Sequence, residues 1–326
     1  MIITQTPLRI SFLGGGTDFP EFFKKHGGAV VSTAIDKYIF VVIKERFDDK
    51  IYVNWSIKEI VDSPNELQHE LVREAMKKVG VKKGVEISFF ADIPSEGTGL
   101  GSSSAVTIGT LNALYHYAGY TPPAEQLAKE AVKIEVEVLG KHSGYQDQYI
   151  AAYGGFRFFK FGKNGTISTE PINISNSILE DLDNQLMLFF TGKTRKSDDI
   201  LAEQKENIVK KEKILLKLSN LAYKLRGDLK AGKIGKIGQM LHSGWMLKKQ
   251  LASGITDNTI NRLYDKAAKA GAVGGKIAGA GGGGFLLLVV PGEARNKVRK
   301  ALAGLREMPF RFERDGSKVI FNVRRY

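Results

Sequence analysis

The sequence contains no cysteine, and this absence removes several classes of protein. It excludes disulfide scaffolds, thiolate metal centres, iron–sulfur clusters and cysteine nucleophiles. Near the glycine-rich C-terminal part the longest apolar run is Phe285–Val290, whereas a helix that spans a bilayer needs about 20 apolar residues. The first residues, MIITQTPLRISF, lack the basic start and the small-residue cleavage site of a secretory signal. We therefore expect a cytoplasmic protein with no membrane partner.

The chain has 326 residues, of which 43% are hydrophobic and 25% charged, as in ordinary globular proteins. This length predicts two domains or one large one, at about 100–200 residues per domain. The first half alternates strand-like and helix-like segments, and long lysine-rich helical segments begin after Pro171. We place the boundary there, giving domains 1–170 and 171–326. The predicted elements of the first half are the strands Ile2–Leu13, Ala29–Ile35, Tyr38–Arg46, Ile51–Asn54, Val85–Ile93 and Phe156–Phe161, and the helices Ser103–Tyr117 and Ala124–Leu139.

The chain is basic, with 48 lysines and arginines against 35 acidic residues and a net charge of +13. Most of the excess lies in the second half, at helical spacing opposite Ile208, Leu215, Leu218 and Leu225. That pattern favours a solvated helix face, although binding of RNA stays open as an alternative. The same positive field would attract an anionic small-molecule substrate.

Thirty-six glycines are more than usual, and some of them form three clusters. The second cluster runs from Pro94 to Ser104 between a predicted strand and a predicted helix. Glycines let a backbone approach a ligand closely, and the first turn of a helix has unpaired amides that attract phosphate. The cluster therefore predicts a phosphate-binding loop, with a simple capped helix as the structural alternative.

The other two clusters are Gly14–Gly16, which leads into Thr17 and Asp18, and the run Gly279–Gly284. The run formally satisfies G-x-G-x-x-G, but it opens into a predicted strand rather than a helix, so a dinucleotide-binding fingerprint is excluded. It predicts a turn whose backbone packs against another loop.

Two carboxylates could serve such a phosphate site. Glu135 lies on a predicted helix, and Asp147 precedes a short apolar helical segment. Beside a phosphate, one carboxylate can bind Mg²⁺ and another can accept the proton of a hydroxyl group. Considered alone, each is better explained as a surface carboxylate. The five histidines have no metal-ligand spacing.

Three segments in order, PLRISFLGGGTD, PSEGTGLGSSSA and KIAGAGGGGF, resemble the motifs of the galactokinase, homoserine kinase, mevalonate kinase and phosphomevalonate kinase (GHMP) superfamily. Within it, the GGGTD run, FTGKTR and the GGGG run are similar to sugar 1-kinases that act on D-glycero-D-manno-heptose 7-phosphate. The resemblance implies a two-domain α+β fold. Its N-terminal domain would be of a ribosomal-protein type, and its C-terminal domain would be ferredoxin-like with added helices.

The resemblance also implies roles for individual residues. Asp147 would be the catalytic carboxylate, with Arg9 as the cation beside the transferred phosphoryl group. Ser103 and Glu135 would bind Mg²⁺, with Ser102, Ser104 and Glu137 as alternatives. The expected nucleotide-binding residues are Gly97, Thr98, Gly99, Leu100, Gly101, Ser102, Ser103 and Ser104. The expected substrate-binding residues are Gly15, Gly16, Thr17, Asp18, Arg195, Lys193 and Arg73. The expected supports of the loop are Gly279, Gly281, Gly282 and Gly283.

The implied function is ATP-dependent phosphorylation of the anomeric hydroxyl of a sugar phosphate, with Mg²⁺ as the metal. Heptose 7-phosphate is the expected acceptor, and the two glycines before Thr17 are expected to make room for it. L-fucose, galactose and, less well matched, mevalonate are the alternatives. We expect no nucleic acid partner, and an RNA-binding protein remains the alternative of a different class.

Overall fold

The structure is a computed structural model that describes residues 1–94, 97–194 and 197–323. Two β-sheets with surrounding helices form an α+β fold. The first sheet has nine strands and the second has four. The described strands are β1 (Ile2–Leu13), β2 (Gly28–Glu45), β3 (Ile51–Asn54), β4 (Lys58–Val61), β5 (Val85–Ala91), β6 (Phe156–Phe161), β7 (Ile167–Pro171), β8 (Leu186–Phe190), β9 (Gly274–Ile277), β10 (Phe285–Val289), β11 (Arg306–Glu307), β12 (Phe312–Glu313) and β13 (Lys318–Asn322).

The described part of the chain also contains eleven α-helices. They are α1 (Pro20–His26), α2 (Glu70–Val79), α3 (Ser102–Tyr117), α4 (Ala124–Val132), α5 (Gln146–Tyr153), α6 (Asn176–Gln185), α7 (Ser197–Glu206), α8 (Glu212–Lys230), α9 (Ile237–Lys248), α10 (Asn258–Lys269) and α11 (Arg295–Ala301). In the described part of the chain, none of these helices has the length and apolarity that crossing a membrane would require.

Strand β2 organises the first sheet, because it pairs with β1, β5, β6 and β12 along its 18 residues. The sequence predicted two strands here, Ala29–Ile35 and Tyr38–Arg46, and this division is wrong. The pairing with β1 shifts register between Pro7 and Leu8, so Asp36 and Lys37 bulge without interrupting the strand. The first glycine cluster directly follows β1, which pairs with this continuous strand, so the cluster lies at the end of the sheet.

Helix α3 lies against β1 and β2, with its apolar residues buried between them. The predicted helix Ala124–Leu139 is shorter than expected: α4 ends at Val132, and Lys133–Val138 forms a turn of π-helix. The predicted lysine-rich helical region is three separate helices, α7, α8 and α9. Apolar faces of α8 and α9 are buried, and the lysines of α8 lie on its outer side.

The chain changes sheets between β7 and β8, and its last strands return to the first sheet. There β12 pairs with β2, and β13 pairs with β1. The assignment of 1–170 and 171–326 as the two domains stays a prediction. The second sheet has the order β11-β8-β10-β9 and is antiparallel throughout. The glycine run Gly279–Gly284 connects its strands β9 and β10, at the side that faces the first sheet's glycine loops.

Candidate active site

Arg9 and Asp147 form a bidentate ion pair between β1 and the first turn of α5. Arg9 Nε donates to Asp147 Oδ1 at 2.7 Å, and its Nη2 donates to Oδ2 at 2.6 Å. Arg9 Nη1 donates to the carbonyl of Gly99 at 2.6 Å. The arginine side chain is 6% exposed, whereas the aspartate side chain is 21% exposed. One guanidinium therefore fixes the carboxylate and the glycine loop together, while the carboxylate stays accessible.

The loop before α3 has the backbone that its glycines predict. Gly97, Gly99 and Gly101 have φ of +67°, +76° and +80°. Gly101 is the N-cap of the 16-residue helix α3, and no side chain caps the helix in the described residues. Its first amides are thus free of a side-chain partner, which leaves them able to bind an anion. Leu100 is buried, so only its backbone can face such a ligand.

The three serines that open α3 differ in their surroundings. Ser103 is exposed, and Ser102 and Ser104 are buried. Ser104 Oγ donates to Glu135 Oε2 at 3.0 Å, so a described hydrogen bond joins Ser104 to this carboxylate, while Ser103 stays a predicted metal ligand. Thr98 Oγ1 lies 3.4 Å from Ser102 Oγ. The glycine–serine segment is therefore tied both to itself and to the acidic residue behind it.

Glu135 is fully buried, and the turn of π-helix directs it towards α3. Gln148 Nε2 also donates to Glu135 Oε2, at 3.0 Å, while Glu135 Oε1 and Gln148 Oε1 have no partner in the described residues. Burial raises the pKa of Glu135 above its usual value, and the bonds from neighbouring side chains only partly offset this. Two unpaired oxygens beside a serine hydroxyl suit a hard cation that takes oxygen ligands.

The described residues contain no group of three or more His, Cys, Asp or Glu side chains that could hold a metal ion by themselves. A cation at Glu135 would therefore need ligands from a phosphate or from water. This is the way in which Mg²⁺ is usually held beside nucleotides, with one or two carboxylates from the protein.

The glycine run packs directly on the Gly97–Ser104 loop. A Cβ added at Gly99 would lie 2.4 Å from the Ala278 carbonyl oxygen, and one at Gly279 would lie 2.5 Å from Gly99 Cα. Gly284, at the end of the run, lies similarly against Thr98. The remaining predicted supports face elsewhere: Gly281 and Gly282 contact Ile255, and Gly283 contacts Lys193. Only glycine permits this approach of two backbones.

The loop Gly14–Asp18 is held from inside the protein. Thr17 Oγ1 donates to the Gly14 carbonyl at 2.7 Å. Asp18 is 2% exposed, and it accepts from Gly16 N at 2.9 Å and from the backbone and side-chain nitrogens of Gln146 at 3.2 and 3.1 Å. Burial raises the pKa of Asp18, and the nearby charge of Asp147 raises it further. The carboxylate thus already has three protein donors.

The expectation that Gly15 and Gly16 make room for a substrate needs correction at Gly16. A Cβ there would lie 2.4 Å from Nε2 of Gln204, a side chain of α7. The space beside Gly16 is therefore filled by the protein. At Gly15 an added Cβ would make only ordinary contacts, 3.5 Å from Gln146 Nε2 and 3.7 Å from Ser11 Oγ.

The three cations predicted for a substrate phosphate have different positions. Lys193 lies beside the glycine run, where its carbonyl accepts from Gly284 N, and its ammonium pairs with Asp257 at 2.8 Å. Arg73 lies on α2 and donates to Glu74 and to the Leu67 carbonyl, and no described contact joins it to Arg9, Asp147 or the Gly14–Asp18 loop. Arg195 lies outside the described residues.

Two buried lysines near the site were missed from the sequence. Lys248, at the end of α9, donates to the Gly279 carbonyl, and Lys276 donates to the carbonyls of Ser11 and Phe12 at 2.8 and 3.2 Å. Burial, followed by the charge of Arg9, lowers the pKa of Lys248 to about 8, and burial also lowers the pKa of Lys276. The sequence signal for burial of Lys276 was its position between Gly275 and Ile277, at the start of the third motif.

Comparison with known proteins agrees with this geometry. The GHMP kinases N terminal domain model matches residues 67–155, and the GHMP kinases C terminal model matches residues 225–305. The chain is 33% identical, over 92% of its length and 93% of the relative, to a D-glycero-alpha-D-manno-heptose 7-phosphate kinase of Campylobacter jejuni. It is 28% identical, over 83% and 79%, to a mevalonate kinase of Pyrococcus horikoshii.

A solved structure of a sugar kinase also has the same fold. A D-glycero-D-manno-heptose 1-phosphate kinase of Bacteroides thetaiotaomicron superposes with a TM-score of 0.82 and 25% identity, covering 99% of this chain and all of that one. The protein is thus an ATP-dependent phosphotransferase. It belongs to the GHMP kinase family, with the two-domain α+β fold of that family, and the resemblance drawn from the three motifs is confirmed.

Proposed function

We propose that this kinase transfers the γ-phosphoryl group of ATP to the anomeric hydroxyl of a sugar phosphate. D-glycero-D-manno-heptose 7-phosphate is the proposed acceptor, which gives the 1,7-bisphosphate used to make nucleotide-activated heptose. The observation that carries the proposal is the bidentate pair of Arg9 and Asp147, bound to the Gly99 carbonyl of the nucleotide loop. Similarity to a curated heptose 7-phosphate kinase along almost the whole chain supports this acceptor.

In this mechanism Asp147 accepts the proton of the acceptor hydroxyl as that oxygen attacks phosphorus. Its carboxylate is partly exposed and has a fixed orientation, because Arg9 holds both of its oxygens. The charge of Arg9 and the uncapped amides at the start of α3 offset negative charge on the phosphoryl oxygens. Positioning and electrostatics thus supply most of the rate enhancement, as is usual for phosphoryl transfer.

Mg²⁺ would be held by Glu135 and Ser104, together with Oε1 of Gln148. The exposed Ser103, next to Ser104 in the sequence, would be a further ligand. When bound with ATP, the metal neutralises charge on the phosphates. Gly97–Ser104 would carry the polyphosphate, and the run Gly279–Gly284 would keep that loop in place. Gly15, Thr17 and Asp18 would shape the acceptor side. A cytoplasmic location without nucleic acid or membrane partners is also part of the proposal.

Steady-state phosphate transfer from Mg²⁺–ATP tests the proposal with four acceptors: heptose 7-phosphate, L-fucose, galactose and mevalonate. We expect the highest kcat/KM with heptose 7-phosphate, and a phosphorus NMR signal of an anomeric phosphate in the product. A higher kcat/KM with L-fucose or galactose would keep the sugar 1-kinase and replace the acceptor. Transfer only to mevalonate would overturn phosphorylation of a sugar.

A further inference from the structure

Helix α7 contacts the Gly14–Asp18 loop through Gln204, and side-chain contacts hold it near both ends. Near its start, Asp198 accepts from His142 N and pairs with His142 Nδ1, both at 3.1 Å. Near its end, Lys205 pairs with Glu21 of α1 at 2.9 Å. His142 lies shortly before Asp147, and Glu21 lies shortly after Asp18, so α7 is fastened to the segments that flank the proposed acceptor side.

Gln204 lies on the inner side of α7 and is 3% exposed. Its Nε2 is directed at Gly16, where an added Cβ would be 2.4 Å from Nε2 and 3.6 Å from the amide carbon. No residue in the ranges 1–94, 97–194 and 197–323 forms a hydrogen bond with this side chain. The amide atoms of Gln204 are not among the fully buried atoms that lack a partner, so the amide keeps a small contact with solvent.

The neighbours of Gln204 explain why its amide is still available. Gly16 N already donates to Asp18, and Asp18 accepts from Gln146, whose Oε1 accepts from Ser32 Oγ at 3.0 Å. This network is complete without Gln204. Next to it, Leu215 offers only apolar atoms, with Cδ2 3.2 Å from the same added Cβ. The amide therefore has one donor group and one acceptor group for a molecule outside the protein.

We infer that Gln204 determines specificity for the acceptor, by exchanging hydrogen bonds with a hydroxyl group of a polyhydroxylated molecule on the Gly14–Asp18 loop. This inference rests on the proposed function. An amide matches a hydroxyl, because both groups donate and accept. Glycine at position 16 is required for the contact, since any side chain there would displace the amide. The role is one of binding and selection, separate from the proton transfer assigned to Asp147.

The test compares wild type with Gln204→Leu, which keeps the size and removes the polar atoms, and with Gln204→Asn, which keeps a shorter amide. Gln239→Leu on the exposed side of α9 is the matched control. Values of kcat and of KM for ATP and for acceptor are measured, with melting temperatures. We expect Gln204→Leu to raise the acceptor KM about tenfold or more, with the KM for ATP unchanged, and Gln204→Asn to show a smaller increase.

Deoxy analogues of the best acceptor, each lacking one hydroxyl, complete the test. We expect one analogue to lose about tenfold or more in kcat/KM with wild type and to lose little with Gln204→Leu. An unchanged acceptor KM in Gln204→Leu, or equal losses for every analogue in both proteins, would overturn the inference while wild-type activity upholds the proposed function. If Gln204→Leu does not fold, the Gln204→Asn series gives the same comparison. A wild-type enzyme that phosphorylates no sugar would overturn the proposed function, and this inference with it.

Discussion

The guanidinium of Arg9 binds both carboxylate oxygens of Asp147, at 2.7 and 2.6 Å, and also the Gly99 carbonyl at 2.6 Å. Lysine can supply the charge at this position but cannot supply the two parallel bonds. We predict that Arg9→Lys lowers kcat by about 10- to 100-fold, because Asp147 loses its fixed orientation. Arg46→Lys is the matched control, since Arg46 forms a similar bidentate pair with Asp48. Equal effects in both variants would argue against the special role of Arg9.

The close contact between Gly99 and Ala278 leads to a second prediction. Gly99→Ala would combine a positive φ with a Cβ 2.4 Å from the Ala278 carbonyl. We expect it to lose binding of ATP, measured by titration calorimetry, and to lower the melting temperature. Gly80→Ala separates the two causes, because Gly80 has φ +85° and nothing within 4 Å of an added Cβ. It should cost about 1 kcal/mol of stability and leave ATP binding intact. Normal ATP affinity in Gly99→Ala would contradict the packing argument.

Glu135 should make stability depend on pH. Its folded pKa is raised above the unfolded value of 4.5, so the stability that its protonated form contributes is present below pH 4.5 and is lost as pH rises through the folded pKa. Gln cannot ionise. The melting temperature of Glu135→Gln relative to wild type, without nucleotide, should therefore rise between pH 4.5 and pH 8. A difference that stays constant over this range would contradict burial of an ionisable carboxylate here.

The same variant tests binding of Mg²⁺. A cation competes with the proton for Glu135, so the extra thermal stabilisation that Mg²⁺ adds to the ATP complex should increase with pH in wild type. In Glu135→Gln this increment should be smaller and nearly independent of pH. The metal dependence is measured by thermal shift with ATP in the presence and absence of Mg²⁺. Equal increments in both proteins would remove Glu135 as a ligand.

Lys248 should make stability depend on pH in the direction opposite to Glu135. Its folded pKa of about 8 lies below the ordinary lysine value of 10.5, so the unfolded chain binds more protons between these values and stability rises with pH across that window. Lys248→Met removes this dependence, and its melting temperature relative to wild type should fall from pH 8 to pH 10. The KM for ATP should rise, because Gly279 loses its donor. Lys269→Met, on the exposed side of α10, is the control and should change neither quantity.

Much of the site followed from the sequence, because the glycine clusters specify backbone positions that few other residues can adopt. Gly97, Gly99 and Gly101 have the positive φ that a phosphate loop requires, and Arg9 and Asp147 meet as the motifs implied. Side chains that complete the site from distant segments gave no such signal. Gln204 lies in α7 and Lys248 lies at the end of α9, and nothing in the sequence pattern of either helix marks one polar residue as buried.

The errors in the fold have a similar origin. A bulge at Asp36 and Lys37 looks like a turn in the sequence, although the strand β2 continues through it. The turn of π-helix around Glu135 has the composition of an ordinary helix. The contact of Ser104 with Glu135 was not visible in the sequence either, because it depends on how α3 is rotated against its neighbours. Such details depend on packing between segments, which periodicity within one segment does not report.

The most direct test of the account is the rate of transfer of phosphate from Mg²⁺–ATP to heptose 7-phosphate by wild type and by Asp147→Asn, with ATP affinity measured in parallel. The asparagine keeps the size of the side chain but cannot accept the proton. We predict that kcat falls by about 10²- to 10⁴-fold while the dissociation constant for ATP changes little. Turnover at the wild-type rate in Asp147→Asn would contradict the assignment of this carboxylate as the base.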